Sequence, residues 1–439
     1  MLVIKKTLCT SVPTLLEQKW QKRLLNYERL FVGYSGGLDS TVLLETLAAD
    51  VLLKDKLTVI HVHHGISPNA DQWLQHCKQY CHALQLPFIS ERVQIAAGAN
   101  LEERARVARY QVFEPYIQSH TALILAHHQD DQSETVLLNL LRGAGVDGLS
   151  AMPEERLFSA GVILRPFLHQ PRLALEAYAS THQLKWIEDE TNECLDWSRA
   201  YLRHQIIPKL RKKWPSASAA IAMNALHCQQ SKRILDHLAW QDYPQMTTNS
   251  LDCHSELLSD QDRFQNVLRV WLKYHLSYSP SSEHIRQIFD TVISARPDAL
   301  PCVHLGEFEL RRYQAKLYLI AKQNALLKPR VWTNFPKPLC LSDTQKIMAL
   351  PSNEGLSIDP SNQIEIKFRQ GGETFHWHGQ SKCLKKLFQY WGIPPWQRSQ
   401  IPLLYVNNIL VAVIGFAFTD LDLFHKQGEQ YTIELWSKA

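Results

Sequence analysis

Apolar residues in the first part of the chain fall into short unbroken runs, separated by stretches in which they recur every three or four positions. The runs are "RLFVGYS" (29–35), "LTVIHVHH" (57–64), "LPFISERV" (86–93) and "TALILAHH" (121–128). Runs this short, apolar at consecutive positions, suit strands of a sheet covered on both faces. Between them the spacing predicts helices over about Asp39–Ala49, Asn69–Leu84, Leu101–Gln118 and Asp130–Arg142. Strands alternating with helices of this length make βαβ units, so the expected fold class is α/β with a parallel sheet. Ligands of such sheets sit at the carboxyl ends of the strands. The first run ends in a Ser-Gly-Gly turn and the fourth in "AHHQDDQSE" (126–134), so these two turns are where chemistry is expected.

The pattern changes near Trp214. Residues 216–296 hold no strand-like run, whereas "SDQDRFQNVLRVWLKYHL" and "SSEHIRQIFDTVIS" carry helical spacing. "GEFELRRYQAKLYLI" (306–320) reads as a hairpin and the Pro-bearing "KPRVWTNFPKP" (328–338) as a linker. Beyond it, "QIEIKFR" and "ILVAVIGFAF" read as strands and "CLKKLFQYWG" as a helix. The expected organisation is an N-terminal parallel-sheet domain (1–214), a small, mainly helical domain (215–325), and a linker with a C-terminal α+β domain (326–439).

Composition narrows the class. The chain has 439 residues, 45% hydrophobic and 21% charged, enough for several packed cores. No apolar run approaches the ~18 residues of a membrane span, and the N-terminal segment lacks the apolar centre of a signal peptide. No membrane partner and a cytoplasmic location are therefore expected. The nine cysteines are scattered, odd in number and free of C-x-x-C, which argues against a disulfide framework or zinc ribbon. Cys77 and Cys81, one helical turn apart, are read as buried thiols. The net charge of +4 permits a nucleic-acid partner, with local clustering counting for more. The sequence is compatible with a homodimer.

The first turn, "SGGLDS", has the makings of an anion site. Glycines after a strand aim backbone amides inward, the next helix adds its N-terminus, and Ser35 and Ser40 add hydroxyls. The lysine of the common phosphate loop is missing: none occurs between Ser35 and Lys54. Such a loop suits a pyrophosphate group held by Ser35, Gly36, Gly37, Leu38, Asp39 and Ser40, with the Asp39 carboxylate placed for Mg²⁺. At these residues the chain resembles the PP-loop of the ATP pyrophosphatase (adenine nucleotide alpha hydrolase-like) family. That resemblance implies ATP as substrate and cleavage between its α- and β-phosphates.

Further motifs follow in order: "HVHHGISPNADQW" (61–73), "ARVARY" (105–110), "AHHQDDQSETVLLNLLRGAGVDGL" (126–149), "LRPFL" (164–168), "WIEDETN" (186–192), "SRAYLRHQIIPKL" (198–210) and a C-terminal stretch over 368–416. Together they closely resemble the tRNA(Ile)-lysidine synthetase family. The resemblance implies attachment of L-lysine to C2 of the wobble cytidine in the CAU anticodon of tRNA(Ile), through an adenylated intermediate. The tRNA then reads AUA instead of AUG and accepts isoleucine instead of methionine.

The residue chemistry agrees. His127, Asp131 and Glu134 stand at i, i+4 and i+7 and share one helix face. Carboxylates suit an amino acid with two amines, and an attacking amine must lose a proton. Asp131 and Glu134 are thus candidates for binding lysine or a second metal, supported by His127 and by Arg109 from "ARVARY". A zinc site is the rival, but H-E-x-x-H is absent. The stretch 199–214 has six Lys or Arg and no acid, as a phosphate-tracking helix would. By resemblance Arg199 and Arg203 lie near the active site, although the family's usual Arg-Asn is Arg199-Ala200 here. Between 367 and 398, Lys367, Arg369, Lys382, Lys385, Lys386 and Arg398 outnumber Glu373, with Trp377, Trp391 and Trp396 interleaved. That mixture suits RNA, although at least two of these tryptophans are expected to pack internally. Two rivals remain: a tRNA thiolase, for which only Cys77 and Cys81 could serve, and a catalytically inactive tRNA-binding protein, against which the intact "SGGLDS" argues.

Overall fold

The computed structural model describes residues 15–65, 67–95, 101–188, 197–253, 258–276, 278, 280–296, 299–322, 327–424 and 429–437. Internal contacts divide the chain into two compact units, Met1–Thr248 with Ser255–Phe289, and Asn249–His254 with Asp290–Ala439. The helices that follow Trp214 thus pack with the parallel sheet, whereas the hairpin near 306–320 packs with the C-terminal strands.

The first unit is built on a six-stranded sheet in the order β3-β2-β1-β4-β6-β5. Its elements are α1 (Gln18–Leu25), β1 (Arg29–Gly33), α2 (Leu38–Ala48), α3 (Val51–Lys54), β2 (Leu57–His63), α4 (Ala70–Ala83), β3 (Phe88–Arg92), α5 (Leu101–Phe113), β4 (Thr121–Ile124), α6 (Gln129–Leu141), α7 (Val146–Leu149), β5 (Glu155–Phe158), β6 (Gly161–Leu164) and α8 (Arg172–Thr181). All pairings are parallel except β5 with β6. Successive residues of β1 feed opposite layers. Leu30 and Val32 join a core with Trp20, Leu43 and Leu44, while Phe31 joins Phe113, Leu123 and Ile163 on the other face. This is why the strands read as unbroken apolar runs. β1 lies directly beside β4, with Arg29 opposite Thr121 and Val32 opposite Ile124. The strand order turns back at this pair, so the loops after β1 and β4 open onto one crevice.

The β5–β6 hairpin was not expected. Its strands are four residues each, below the length at which an apolar run declares itself, and the turn at Ser159 takes a positive φ of 51°. Gly161 lets β6 approach the start of β4: a Cβ there would come within 2.5 Å of the Thr121 carbonyl oxygen.

After α9 (Ser198–Tyr201), a π-helical turn at Leu202–Ile206 leads into α10 (Ile207–Lys213). Pro208 supplies no amide and crowds the carbonyl one turn back, and the wider turn just before it accommodates both effects. The long α11 (Ala217–Asp242) lies on α6, where Ser133 Oγ donates to the Ser218 carbonyl at 2.7 Å. The helix Gln261–Leu276 is tied to α11 by Arg269, which bonds Asp236 at 2.8 Å and also pairs with Asp147.

The second unit contains a four-stranded antiparallel sheet, β7-β10-β9-β8, a five-stranded sheet, and smaller three- and two-stranded sheets. β7 (Ser250–Asp252) falls inside the stretch expected to hold no strand; three residues are too few to show a period of two. β8 (Cys302–Leu305), β9 (Phe308–Tyr313) and β10 (Lys316–Ala321) form the expected hairpin with one extra strand. The helix Leu384–Tyr390 and the strands Ile364–Lys367 and Ile409–Val413 lie where the pattern put them. Trp377 and Trp391 pack against the core around Phe388, and Trp396 meets Tyr313 and Tyr318 edge-on.

Candidate active site

The β1–α2 loop is shaped by Gly36, whose φ of +86° is open to glycine and strained for any other residue. A Cβ there would lie 2.5 Å from Ile187 Cδ1 and 2.8 Å from Cys77 Sγ. The Ile187 amide donates to the Gly36 carbonyl at 2.8 Å and clamps the loop from outside the sheet. Ser35 and Ser40 hydroxyls lie 3.1 Å apart, the Gly37 amide donates to Ser35 Oγ at 3.3 Å, and Ser40 Oγ donates to the Gly37 carbonyl at 3.0 Å. Helix α2 has Gly37 as its N-cap and so no side-chain cap, which leaves first-turn amides for a ligand. Cys77 and Cys81 lie in the core beneath, and burial pushes both thiols up to about 12. They are packing residues, unsuited to sulfur transfer or cluster binding.

His128, which the sequence did not single out, joins the two loops. Its Nδ1 accepts the amides of Asp130 (3.2 Å) and Asp131 (3.4 Å), and Asp131 Oδ2 returns an interaction to the His128 amide at 3.0 Å. This is a capping box with an imidazole in the serine's place. With a lone pair required on Nδ1, the proton sits on Nε2, which faces Asp131 Oδ2 at 3.4 Å and Asp39 Oδ2 at 3.5 Å. Burial disfavours charging this ring while Asp131 and Asp39 favour it, and the net direction is upward. A second proton would break the cap, so the neutral Nε2–H form is the one the geometry supports. Asp39 Oδ1 is buried and has no hydrogen-bond partner among the described residues; Arg172 Nε stands 3.9 Å away.

One wall is cationic. Arg165 is buried at the end of β6; its Nε donates to His127 Nδ1 at 3.3 Å and its Nη1 to the Pro153 carbonyl at 2.8 Å. Burial, and then Arg165, push His127 down to about 3. The ring is therefore neutral, with its proton on Nε2, and is a donor lining the cleft. Arg109 Nε donates to His64 Nε2 at 3.4 Å, and burial together with Arg109 pushes His64 down to about 4. Arg106 turns instead to Glu103, at 2.8 Å.

The acidic turn of α6 divides into three roles. Asp131 lines the cleft; burial would raise its carboxyl, but His128, His127 and Arg203 hold it below the usual carboxylate range. Glu134 does not line the cleft. It is 1% exposed and receives Arg203 Nε at 2.6 Å and Nη2 at 2.9 Å, while the same Nη2 reaches Asp131 Oδ1 at 3.3 Å. Burial raises its carboxyl and Arg203 opposes that shift. Asp130 pairs with Arg211 and accepts the Arg172 amide at 2.9 Å. Of the cations in 199–214, then, Arg203 and Arg211 serve internal pairs, and Arg199 meets Glu102 at 3.1 Å. Lys209, Lys212 and Lys213 remain exposed, with Lys213 over the Trp214 ring at 5.0 Å. Arg398 is also internal: it is buried, and its Nε donates to the Ile393 carbonyl at 2.8 Å.

The cleft has a volume of about 1590 Å³ and is lined by the loop 33–40, His127, Asp131, Arg109, Arg199 and Arg203 among others. That exceeds the ~300–1,000 Å³ of a single small-molecule pocket, so the cleft has room for more than one ligand. Arg165 and His128 are the residues that sequence reasoning missed. Arg165 lay inside the quoted "LRPFL" and carried no periodic signal.

Comparison with known proteins adds the family. Residues 10–210 match a model described as a PP-loop domain, 259–318 a TilS substrate binding domain, and 364–435 a TilS substrate C-terminal domain. The tRNA(Ile)-lysidine synthase of Legionella pneumophila (strain Paris) is 46% identical over 415 residues, covering 93% of this chain and 95% of that one. The tRNA(Ile)-lysidine synthase of Coxiella burnetii is 37% identical over 427 residues, covering 94% of each. A solved TilS C-terminal domain matches 26% of this chain at 16% identity and a TM-score of 0.22, too loosely to add to these.

Proposed function

The chain belongs to the tRNA(Ile)-lysidine synthase family, and we infer from that premise that it is a ligase forming lysidine on tRNA(Ile) in an ATP-dependent reaction. The steps proposed for it run in two halves. The C2 oxygen of the anticodon's wobble cytidine attacks the α-phosphorus of ATP, and pyrophosphate leaves. The ε-amine of L-lysine then attacks C2, loses a proton, and displaces AMP.

The residues divide accordingly. The amides and hydroxyls of Ser35–Ser40 hold the phosphates, with Arg109 and His127 lining the same cleft as further donors. Asp39 is the residue that would hold Mg²⁺: its unpartnered buried Oδ1 is the kind of atom such an ion satisfies. When bound, the ion would offset charge on the departing pyrophosphate. His127 is a donor and not a base, because its Nδ1 is occupied by Arg165. Asp131, ionised and facing the cleft, is the group suited to hold the lysine ammonium. Glu134 acts one step back by holding Arg203 against Asp131, and Arg199 and Arg203 present cations to the lysine carboxylate or the RNA. Exposed Lys209, Lys212 and Lys213 beside Trp214, and Lys385 and Lys386 in the second unit, are proposed to contact tRNA phosphates. A reaction on tRNA accords with a cytoplasmic location; no helix among the described residues is long and apolar enough to cross a membrane.

The observation that carries this reading is the meeting of Asp39 and Asp131 on a single imidazole, which places the phosphate loop and the acidic helix over one cleft. The test is pyrophosphate release from ATP with tRNA(Ile), with and without lysine, in the wild type and in Asp39→Asn. Wild-type release that requires tRNA and is lost in Asp39→Asn, with tRNA binding retained, is expected. Undiminished release in the variant would remove Asp39 from the reaction.

A further inference from the structure

In the second unit, one face of the β8–β9 hairpin carries three side chains of different donor types. Cys302 and His304 are two apart on β8 and so share a face, and the register sets His304 opposite Glu309 and Cys302 opposite Arg311. The inward face is formed by Leu305 and Leu310, both buried, so the outward orientation of the four polar residues follows from the pleat. Cys302 Sγ, an imidazole nitrogen of His304 and a Glu309 oxygen all lie within 4.8 Å of one another, with His304 Nδ1 and Glu309 Oε1 at 3.5 Å. Ligand atoms around tetrahedral zinc stand about 3.3–3.8 Å apart, given bonds of ~2.0–2.3 Å. Small rotations of two exposed side chains cover the difference.

Glu309 is held in place by Arg311. Its Oε2 accepts Arg311 Nε at 3.0 Å and Nη2 at 2.8 Å, which leaves Oε1 toward His304. Arg311 is in turn placed over the Trp396 ring at 5.6 Å. A ligating carboxylate fixed by a second residue, itself fixed by a third, is how metal sites are supported. We propose that Cys302, His304 and Glu309 form a site for divalent zinc, with three protein ligands and a fourth position open to water. A thiolate, an imidazole and a carboxylate are all ligands zinc accepts, and the hairpin presents them from one side.

The test uses the full-length reduced protein titrated with Co²⁺ and followed by the thiolate-to-cobalt charge-transfer absorption. A band saturating at one equivalent and displaced by Zn²⁺ is expected. Cys302→Ser should abolish it, whereas Cys340→Ser/Cys383→Ser, which removes two other exposed thiols, should leave it intact. Glu309→Gln, which keeps the shape of the side chain but removes a direct ligand's charge, should weaken Co²⁺ binding by at least the ~10- to 100-fold seen for loss of an outer-shell partner. Absence of the band, or its persistence in Cys302→Ser, overturns the proposal, as does unchanged affinity in Glu309→Gln.

Discussion

Glu134→Gln separates support of a substrate-binding residue from contact with the substrate. In the folded protein Glu134 is buried and gives both oxygens to Arg203, at 2.6 and 2.9 Å. Glutamine keeps one acceptor, turns an amide donor toward the guanidinium, and removes the charge. The loss of one charge-assisted hydrogen bond is about 1.5–3 kcal/mol, or roughly 10- to 150-fold if it falls wholly on one step of the reaction. Truncation to alanine would instead strand a partly buried guanidinium, at about 3–5 kcal/mol, and would confuse catalysis with unfolding. The expected phenotype is a raised KM for lysine and slower lysidine formation, with single-turnover pyrophosphate release retained. Quenched flow reads both products from one reaction, and a thermal melt checks that the variant is folded.

A double-mutant cycle makes the argument exclusive. If Glu134 acts only through Arg203, then Glu134→Gln should change little once Arg203→Gln, which keeps an amide donor beside Glu134, is present, and the coupling should approach the whole effect of the single substitution. Additive effects, within about 0.5 kcal/mol, would refute the reasoning and mean that Glu134 touches a substrate itself. Equal loss of pyrophosphate and lysidine, with the lysine KM unchanged, would instead move Arg203 and Asp131 to the ATP side of the cleft.

Gly36→Ala should weaken ATP binding with tRNA affinity unchanged, because φ of +86° and the approach to Ile187 and Cys77 impose strain of about 1–3 kcal/mol; a wild-type KM for ATP would count against the loop geometry. His127 should make the protein acid-sensitive. With its folded pKa lowered to about 3, the unfolded chain takes up a proton first as pH falls below about 6.5, so stability drops from there, by about 2 kcal/mol at pH 5. Denaturant titrations of His127→Asn should accordingly show a shallower loss between pH 7.5 and 5, and parallel curves would exclude the effect. Replacing Lys209, Lys212 and Lys213 with Gln should lower tRNA affinity and reduce its salt dependence by about 2–3 in the log–log slope, with the ATP KM unaffected; an unaltered slope would place the RNA elsewhere.

The legible parts of this protein are those that local pattern controls. The strands β1, β2 and β4 declared themselves because both their faces are buried, and "SGGLDS" declared itself because a glycine-bearing turn after such a strand has few uses. The pairings of charges were not legible. Arg199, Arg203 and Arg211 look alike in a basic helix, and only the fold reveals that Glu102, Glu134 and Asp130 take them up. Helical spacing correctly put Asp131 and Glu134 near one another, but depth depends on what covers the helix. Arg203 and α11 both come over α6 from more than sixty residues away in sequence, and they bury Glu134 while Asp131 stays open to the cleft. His127 and His128 posed a similar ambiguity: at a strand-to-helix turn neighbouring side chains diverge, and no periodicity says which faces the wall and which the cap. The consequence reaches function. A carboxylate visible in the sequence as a ligand candidate is taken up here by an arginine, through which it is proposed to act, and an imidazole without a motif of its own connects the two loops where the reaction is proposed to occur. The balance of charge in the cleft is therefore set by long-range partners, which is why the Glu134–Arg203 cycle tests more of the mechanism than removal of any residue in "SGGLDS".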